Sequence, residues 1–227
     1  MSKLVLFGSG RGADVAYRFL TRDSDHEVCG FAPDRAFVAQ HTFHGLPVVP
    51  FEEVEKRFPP GEFGMFVLLG YQGMNALRAA KFAEARRKGY RMTSYVCSDF
   101  FRAEDLRVGE NCFILDNQSI SLDVAIGNNV VMWSSNHVGD MTVIEDHAWI
   151  SSHVTIAANV TIREGCFVGI GATISNHVTL GKNTFVGANA LITSDTAENS
   201  VYVCGESKAL DVDSATFMKV LRAGKKL

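Results

Sequence analysis

Two periods divide this chain and predict its fold class: an α/β domain of parallel strands, then a parallel β-helix, then a short tail. Over residues 1–95, apolar runs of strand length alternate with helical stretches. After residue 107 an aliphatic side chain recurs at every sixth position, from Val108, Ile114 and Ile120 through to Val186 and Ile192, fifteen positions without a slip. Four residues after most of these stands a slender side chain, as at Cys112, Val124, Ala148, Val160 and Ala172.

The first strand is Leu4 to Phe7, and Gly8-Ser9-Gly10-Arg11-Gly12 leads from it into a helix that runs to Leu20. Val28 to Phe31 is a second strand, and Leu46 to Val49 a weaker third before a charged helix at Glu52 to Arg57. Phe63 to Leu69 is a continuous apolar run. Met74 to Lys88 reads as a helix, with Leu77, Ala80, Lys81 and Ala85 at helical spacings and Gly89 to end it. Met92 to Val96 closes the domain as a strand. Strands separated by helices of this length call for a parallel sheet with crossovers, a Rossmann-like domain over 1–95. Residues 96–107 read as a linker.

A helix needs a period near 3.6 and a half-buried strand a period of 2. Six is the period of a hexapeptide β-helix, in which each hexapeptide forms one flat face and three form a triangular coil. Residues 108–197 then make five coils, with the aliphatic residue stacked inside the prism and the slender one beside it. Cys112 and Cys166 fall on one core column, so packing is their expected role. Phe113, Phe167 and Phe185 fall one residue further on and face outward; an exposed aromatic column suggests a partner, most simply a second copy. Residues 198–227 form the tail, where Phe217, Val220 and Leu221 suggest a short helix over 211–223.

Composition excludes several classes. The 22 Lys and Arg against 25 Asp and Glu leave a net charge of −3, no basic field to attract nucleic acid or an anionic membrane. No apolar run approaches the roughly 20 residues of a membrane span, and the start does not read as a signal peptide. The five cysteines are odd in number and without a C-x-x-C pair, which reads as reduced thiols in a cytosolic protein; neither disulfides nor a metal site are expected.

Candidate site residues follow from position. The glycine loop, Gly8 to Gly12, opens a helix after a strand, where backbone N–H groups meet phosphate; the alternative is a tight structural turn. Asp34 follows the second strand. Asn75 and Arg78 are three apart at the start of a helix, on one face near the carboxyl edge of the sheet, and an Arg there suits a diphosphate or else is a solvated charge. Of the seven histidines, His147, His153 and His177 sit at outward corners and read as solvated turn residues. His137 differs: it follows Asn136, a polar residue in an inward slot that must find hydrogen bonds, so this coil is modified for more than packing.

The glycine loop, Gly45-Leu46-Pro47-Val48-Val49, the segment Gly70-Tyr71-Gln72-Gly73-Met74-Asn75-Ala76-Leu77-Arg78 and the hexapeptides together resemble the bacterial left-handed β-helix acyltransferases that modify sugars. That family includes the nucleotide-amino-sugar N-acetyltransferases and the related sialic acid O-acetyltransferases. The resemblance implies a left-handed coil, a homotrimer, and an acyl donor, usually acetyl-CoA, between neighbouring prisms. It implies a nucleotide-linked sugar on the N-terminal domain, at Gly8, Ser9, Gly10, Arg11, Gly12, Asp34, Gly70, Tyr71, Asn75 and Arg78. Along the donor it places Ala158, Gly171 and Asn176, with Lys208 near a CoA phosphate or merely solvated in the tail. In many members of the family the catalytic histidine stands in the third place of the hexapeptide that begins here at Val138, and that place is Asp140. Three readings stay open: His137 as base oriented by Asp140, which is preferred; Asp140 itself as base or merely polarising a water; or acceleration by positioning alone. The expected activity is acyl transfer to the amino group of a nucleotide-linked deoxy-amino sugar. Its rivals are O-acyl transfer and a catalytically silent sugar-binding trimer.

Overall fold

The computed structural model describes residues 2–222, with side chains through residue 219; Val220, Leu221 and residue 223 of the expected terminal helix fall outside the described side chains and residues. Four parallel strands make the first sheet: β1 (Ser2–Phe7), β2 (His26–Ala32), β5 (Phe63–Phe66) and β6 (Arg91–Met92), in the order β2-β1-β5-β6. A short antiparallel pair, β3 (Thr42–Phe43) and β4 (Leu46–Pro47), lies between β2 and β5 in sequence. Helix α1 (Arg11–Arg22) crosses from β1 to β2, and α3 (Ala76–Arg87) crosses from β5 to β6. The charged helix of the sequence reading is one turn, α2 (Val54–Arg57), behind a 3-10 turn at Phe51–Glu53. Val5, Phe7, Met65 and Met92 of the sheet are buried in one cluster with Phe82 of α3, so the sheet has an apolar layer on that side. Gly12 lets α1 approach closely: a Cβ there would stand 2.2 Å from the Leu68 carbonyl oxygen.

The solenoid follows the six-residue register with two-residue parallel strands stacked 18 residues apart. Its three faces hold seven, six and five strands. The first face runs from Tyr95–Val96 to Val201–Tyr202, the second from Phe101–Arg102 to Leu191–Ile192, the third from Arg107–Val108 to Thr179–Leu180. The coil therefore starts at residue 95, and 96–107 belongs to its first turn and is not a linker; the stack has about six turns where five were expected. The sequence pattern hid that turn because Arg102 occupies the inward column between Val96 and Val108. Its guanidinium lies over the Phe100 ring, 5.4 Å from the centroid, at the open base of the prism.

Each corner turns through a residue with left-handed φ, commonly Asn, which tolerates that region better than most side chains. Inside, the aliphatic column is buried from Ile114 to Ile192, and Cys112 and Cys166 pack among it as the register requires. Burial pushes their thiols up to about 11 and about 12, which marks them as inert. The described part of the tail closes with α4 (Ser214–Arg222).

The aromatic column does not wait for another copy. Phe113 is fully buried and Phe167 nearly so, because the α/β domain itself covers the first face. Leu4, Leu6, Ala13, Leu20, Phe66 and Leu68 form one core with Tyr95, Phe113, Trp149 and Phe167. An outward position is exposed only if nothing folds back on it, and here the preceding 94 residues do.

Candidate functional site

The reversal of strand order at β1 and β5 leaves a crevice at the carboxyl ends of these strands, where open α/β sheets bind ligands. A cavity of about 580 Å³ lies there, lined by Gly8, Ser9 and Gly10 after β1, Asp34 after β2, and Gly70 and Gln72 after β5. Gly8 turns with φ +89°, and Gly10, which precedes α1, offers no side-chain cap, so the helix start beside the crevice is uncapped. Five of the sequence-predicted residues, Gly8, Ser9, Gly10, Asp34 and Gly70, thus share one cavity. The sequence reading missed Phe37, Gln40 and Lys81, which line it too. The signal for Lys81 is its one-turn offset from Leu77, which puts both on one face of α3. Its ammonium bonds Asp34 at 2.5 Å and Glu84 at 3.0 Å. Burial works to lower the Lys81 pKa, but these two carboxylates outweigh it and raise it. Arg11 is exposed at the start of α1, and Tyr71 packs across Trp149 and Phe167 instead of entering the cavity.

Asn75 and Arg78 do not serve a diphosphate, which corrects the expectation for both. They share one helix face, but that face is pressed on the solenoid and both side chains are fully buried. Asn75 Nδ2 donates to the Gly165 carbonyl at 3.0 Å, and its Oδ1 accepts from Arg78 at 2.8 Å. The Arg78 guanidinium donates to the carbonyls of Asn129 and His147, and its centre lies 5.8 Å from the Trp149 ring. Burial lowers its pKa to about 9, still cationic at neutral pH. The pair is a clamp between the two halves. Spacing along a helix names a face but not its neighbour.

On the solenoid, His137 stands outward on the second face between Ser119 and Thr155, exposed, and among the described residues its ring makes no hydrogen bond or ion pair. Asn136 beside it is buried but satisfied: Nδ2 donates to the Trp133 carbonyl at 2.5 Å and Oδ1 accepts from Val154 N at 2.8 Å. Its inward amide is therefore accounted for by the coil's own backbone. Asp140 does not orient His137; its Oδ1 accepts from Leu122 N at 3.1 Å, one coil away. Asn176 makes the same bond to Ala158 N at 3.0 Å. Asp140, Ala158 and Asn176 thus line one corner at intervals of a coil. The N–H of Ala158 is taken by Asn176, and that of Gly171 by the Ser152 carbonyl at 3.0 Å, so neither is free for a pantetheine amide. Lys208 is exposed in the tail. His153 and His177 are exposed corner residues as expected, whereas His147 is half-buried, edge-on to Phe82. Among the described residues, no three His, Cys, Asp or Glu gather as metal ligands, and no helix is long and apolar enough to cross a membrane.

The bacterial transferase hexapeptide family, described by six repeats, matches residues 159–194. No curated protein sequence matches the chain. Among solved structures, the acetyltransferase domain of PglB from Neisseria gonorrhoeae is 20% identical, with a TM-score of 0.76 over 88% of this chain and 96% of that one. PerB from Caulobacter crescentus, solved with CoA and GDP-perosamine, is 22% identical, with a TM-score of 0.77 over 88% and 93%. WeeI from Acinetobacter baumannii is 14% identical, with a TM-score of 0.73 over 88% and 96%. The fold they share with this chain is the expected one, a Rossmann-like domain followed by a left-handed parallel β-helix.

Proposed function

We propose that this protein transfers an acyl group, most simply acetyl from acetyl-CoA, to the amino group of a nucleotide-linked deoxy-amino sugar. The observation that carries the reading is the crevice cavity, where Gly8, Ser9, Gly10, Asp34 and Gly70 converge beside an uncapped helix start. Such a start suits a diphosphate, and cavities of this size suit a nucleotide. Shared fold adds to it, since PerB holds CoA and GDP-perosamine on the same architecture. The working assembly in this reading is a cytoplasmic homotrimer, with the donor between neighbouring prisms and the product passing to glycan synthesis. Ala158 and Gly171 contribute by their lack of bulk, their N–H groups being spoken for.

A sugar ammonium must lose a proton before it attacks the thioester carbonyl. His137 is the base in this reading: its exposed imidazole has no protein partner among the described residues, so the ring nitrogen that carries no hydrogen can take the proton. Asp140 holds the corner through Leu122 N, and its remaining oxygen can fix a water. That same commitment of Asp140 favours one other reading, a silent trimer that binds the sugar nucleotide without turning it over.

Incubation with acetyl-CoA and UDP-, GDP- or dTDP-linked amino sugars, followed by free thiol, tests the reading. Thiol release with one of them and an amide product is expected. Binding without release supports the silent trimer, and an ester product supports O-acyl transfer. His137→Asn should lower kcat/KM by about 10²–10⁴; the assignment fails if it stays near wild type while Asp140→Asn does not.

A further inference from the structure

The third edge of the solenoid carries hydrogen bonds that run in one direction. Residues 111, 129, 147, 165, 183 and 199 stack along it, each with positive φ. At the base, Val67 N donates to Asn111 Oδ1 at 2.8 Å. Asn111 Nδ2 donates back to the Val67 carbonyl at 2.9 Å and up to Asn129 Oδ1 at 2.8 Å. A backbone N–H cannot accept, so Asn111 has one orientation, and it gives Asn129 one as well. Asn129 Nδ2 then meets His147 Nδ1 at 2.9 Å. Nδ1 must offer its lone pair, and a neutral imidazole in that state carries its proton on Nε2. Burial lowers the His147 pKa below the ordinary histidine value, which keeps the ring neutral.

The next rung is Gly165, which has no side chain. Asn183 Oδ1 fills the place of its missing Cβ, 2.2 Å from where that atom would stand, and Asn183 pairs onward with Asn199 at 3.3 Å. Among the described residues, Nε2 of His147 therefore has no partner. Beside the missing rung lies a cavity of about 480 Å³, between this edge and the start of α3, lined by His147, Glu164, Lys182, Asn183, Phe185 and Ala76.

Its charges cancel, because Lys182 bonds Glu164 at 2.8 Å. An anion entering would meet the Glu164 carboxylate and a cation would meet Lys182. The asparagines offer donors and acceptors side by side, and Phe185 offers an apolar wall. Hydroxyl groups both give and take hydrogen bonds, and the C–H face of a sugar ring packs on an aromatic.

We infer that this cavity is a second ligand site, one that takes a neutral sugar, with His147 presented to it as an Nε2–H donor by the Asn111–Asn129 ladder. It uses Ala76 and Ala79 of α3, whereas the crevice cavity uses Leu77 and Lys81. The inference does not rest on the acyl-transfer reading.

Imidazole ¹⁵N spectra of the whole chain test it, with the His147 signals assigned by their loss in His147→Gln. The expected result is an Nε2–H tautomer, with saturable displacement of its signals by N-acetyl-D-glucosamine at millimolar Kd and at least tenfold weaker displacement by the 6-phosphate (about 1.4 kcal/mol). Asn129→Asp keeps the shape and the bond from Asn111 but offers His147 an acceptor, so Nδ1 should gain a proton. An Nδ1–H tautomer in the wild type, or an Nδ1 still without a proton in Asn129→Asp, overturns the ladder. No saturable displacement by the neutral sugar, or tighter displacement by the phosphate, overturns the site.

Discussion

Two faces of the solenoid share one inward pattern and differ in what they show outward. The first face stacks Ile114, Met132, Ile150 and Val168 inside, with Phe113, Trp149 and Phe167 outside. The second stacks Ile120, Val138, Ile156 and Ile174 inside, with Ser119, His137, Thr155 and Thr173 outside. The inward row builds the prism and is interchangeable between faces; the outward row decides what each face meets. Aromatics on the first face bind the α/β domain, and short polar side chains leave the second face open around His137. The clamp of Asn75 and Arg78 is buried because of where it stands between these faces. It sits where the covered face turns into the third edge, and it satisfies corner carbonyls that would otherwise be buried without partners.

The largest effect should come from emptying the covered face. Phe113→Ala removes a fully buried ring that touches Phe19, Phe66 and Tyr95, and should cost ~3–5 kcal/mol in chemical denaturation. Hydrogen exchange should accelerate in β1 and α1 while the upper coils stay protected. Equal acceleration in all coils would break the division of labour between the rows.

A smaller effect concerns the seam. Asp23, at the end of α1, accepts from Ser98 N at 2.9 Å, Ser98 Oγ at 2.5 Å and Tyr95 Oη at 2.9 Å, tying α1 to the first coil. The bonds from Ser98 lead in holding its carboxyl down to about 2 from 3.8. A depressed folded pKa adds stability above the unfolded value, and that stability is lost as pH falls from 3.8 toward about 2. Because Asp23 is partly exposed, solvent screening limits the gain to ~1 kcal/mol. The wild type should lose that increment across this window, and Asp23→Asn should lack it at neutral pH and show no such loss. The smallest effect belongs to the open face: His137→Ala should change stability by within ~0.5 kcal/mol. A drop above ~1 kcal/mol, measured at the concentration of the assembled protein, would mean that this face too is covered.

How much of this was legible depended on whether a residue's neighbour was set by local repetition. The inward register could be read because every sixth side chain meets its own equivalent one coil away. Arg102 broke the reading for a single turn, enough to make the first coil look like a linker. The glycine loop and Asp34 were legible because the ends of consecutive parallel strands meet at one crevice. The burial of Phe113, the commitment of Asp140 to Leu122 N and the direction of the asparagine ladder were not. Each depends on a group that is distant in the chain, or on which way an amide points.

By itself, the sequence determined the parallel sheet, the triangular coil and the shared core column of Cys112 and Cys166, because period and burial are properties of repeated short segments. The tertiary structure alone decided that the aromatic face is covered from within, that Arg78 clamps the two halves and that His147 faces a cavity. The physical reason is that a side chain's chemistry is set by what packs against it, and for these residues that partner lies in the other half of the molecule or on a rung whose orientation is handed up from Val67.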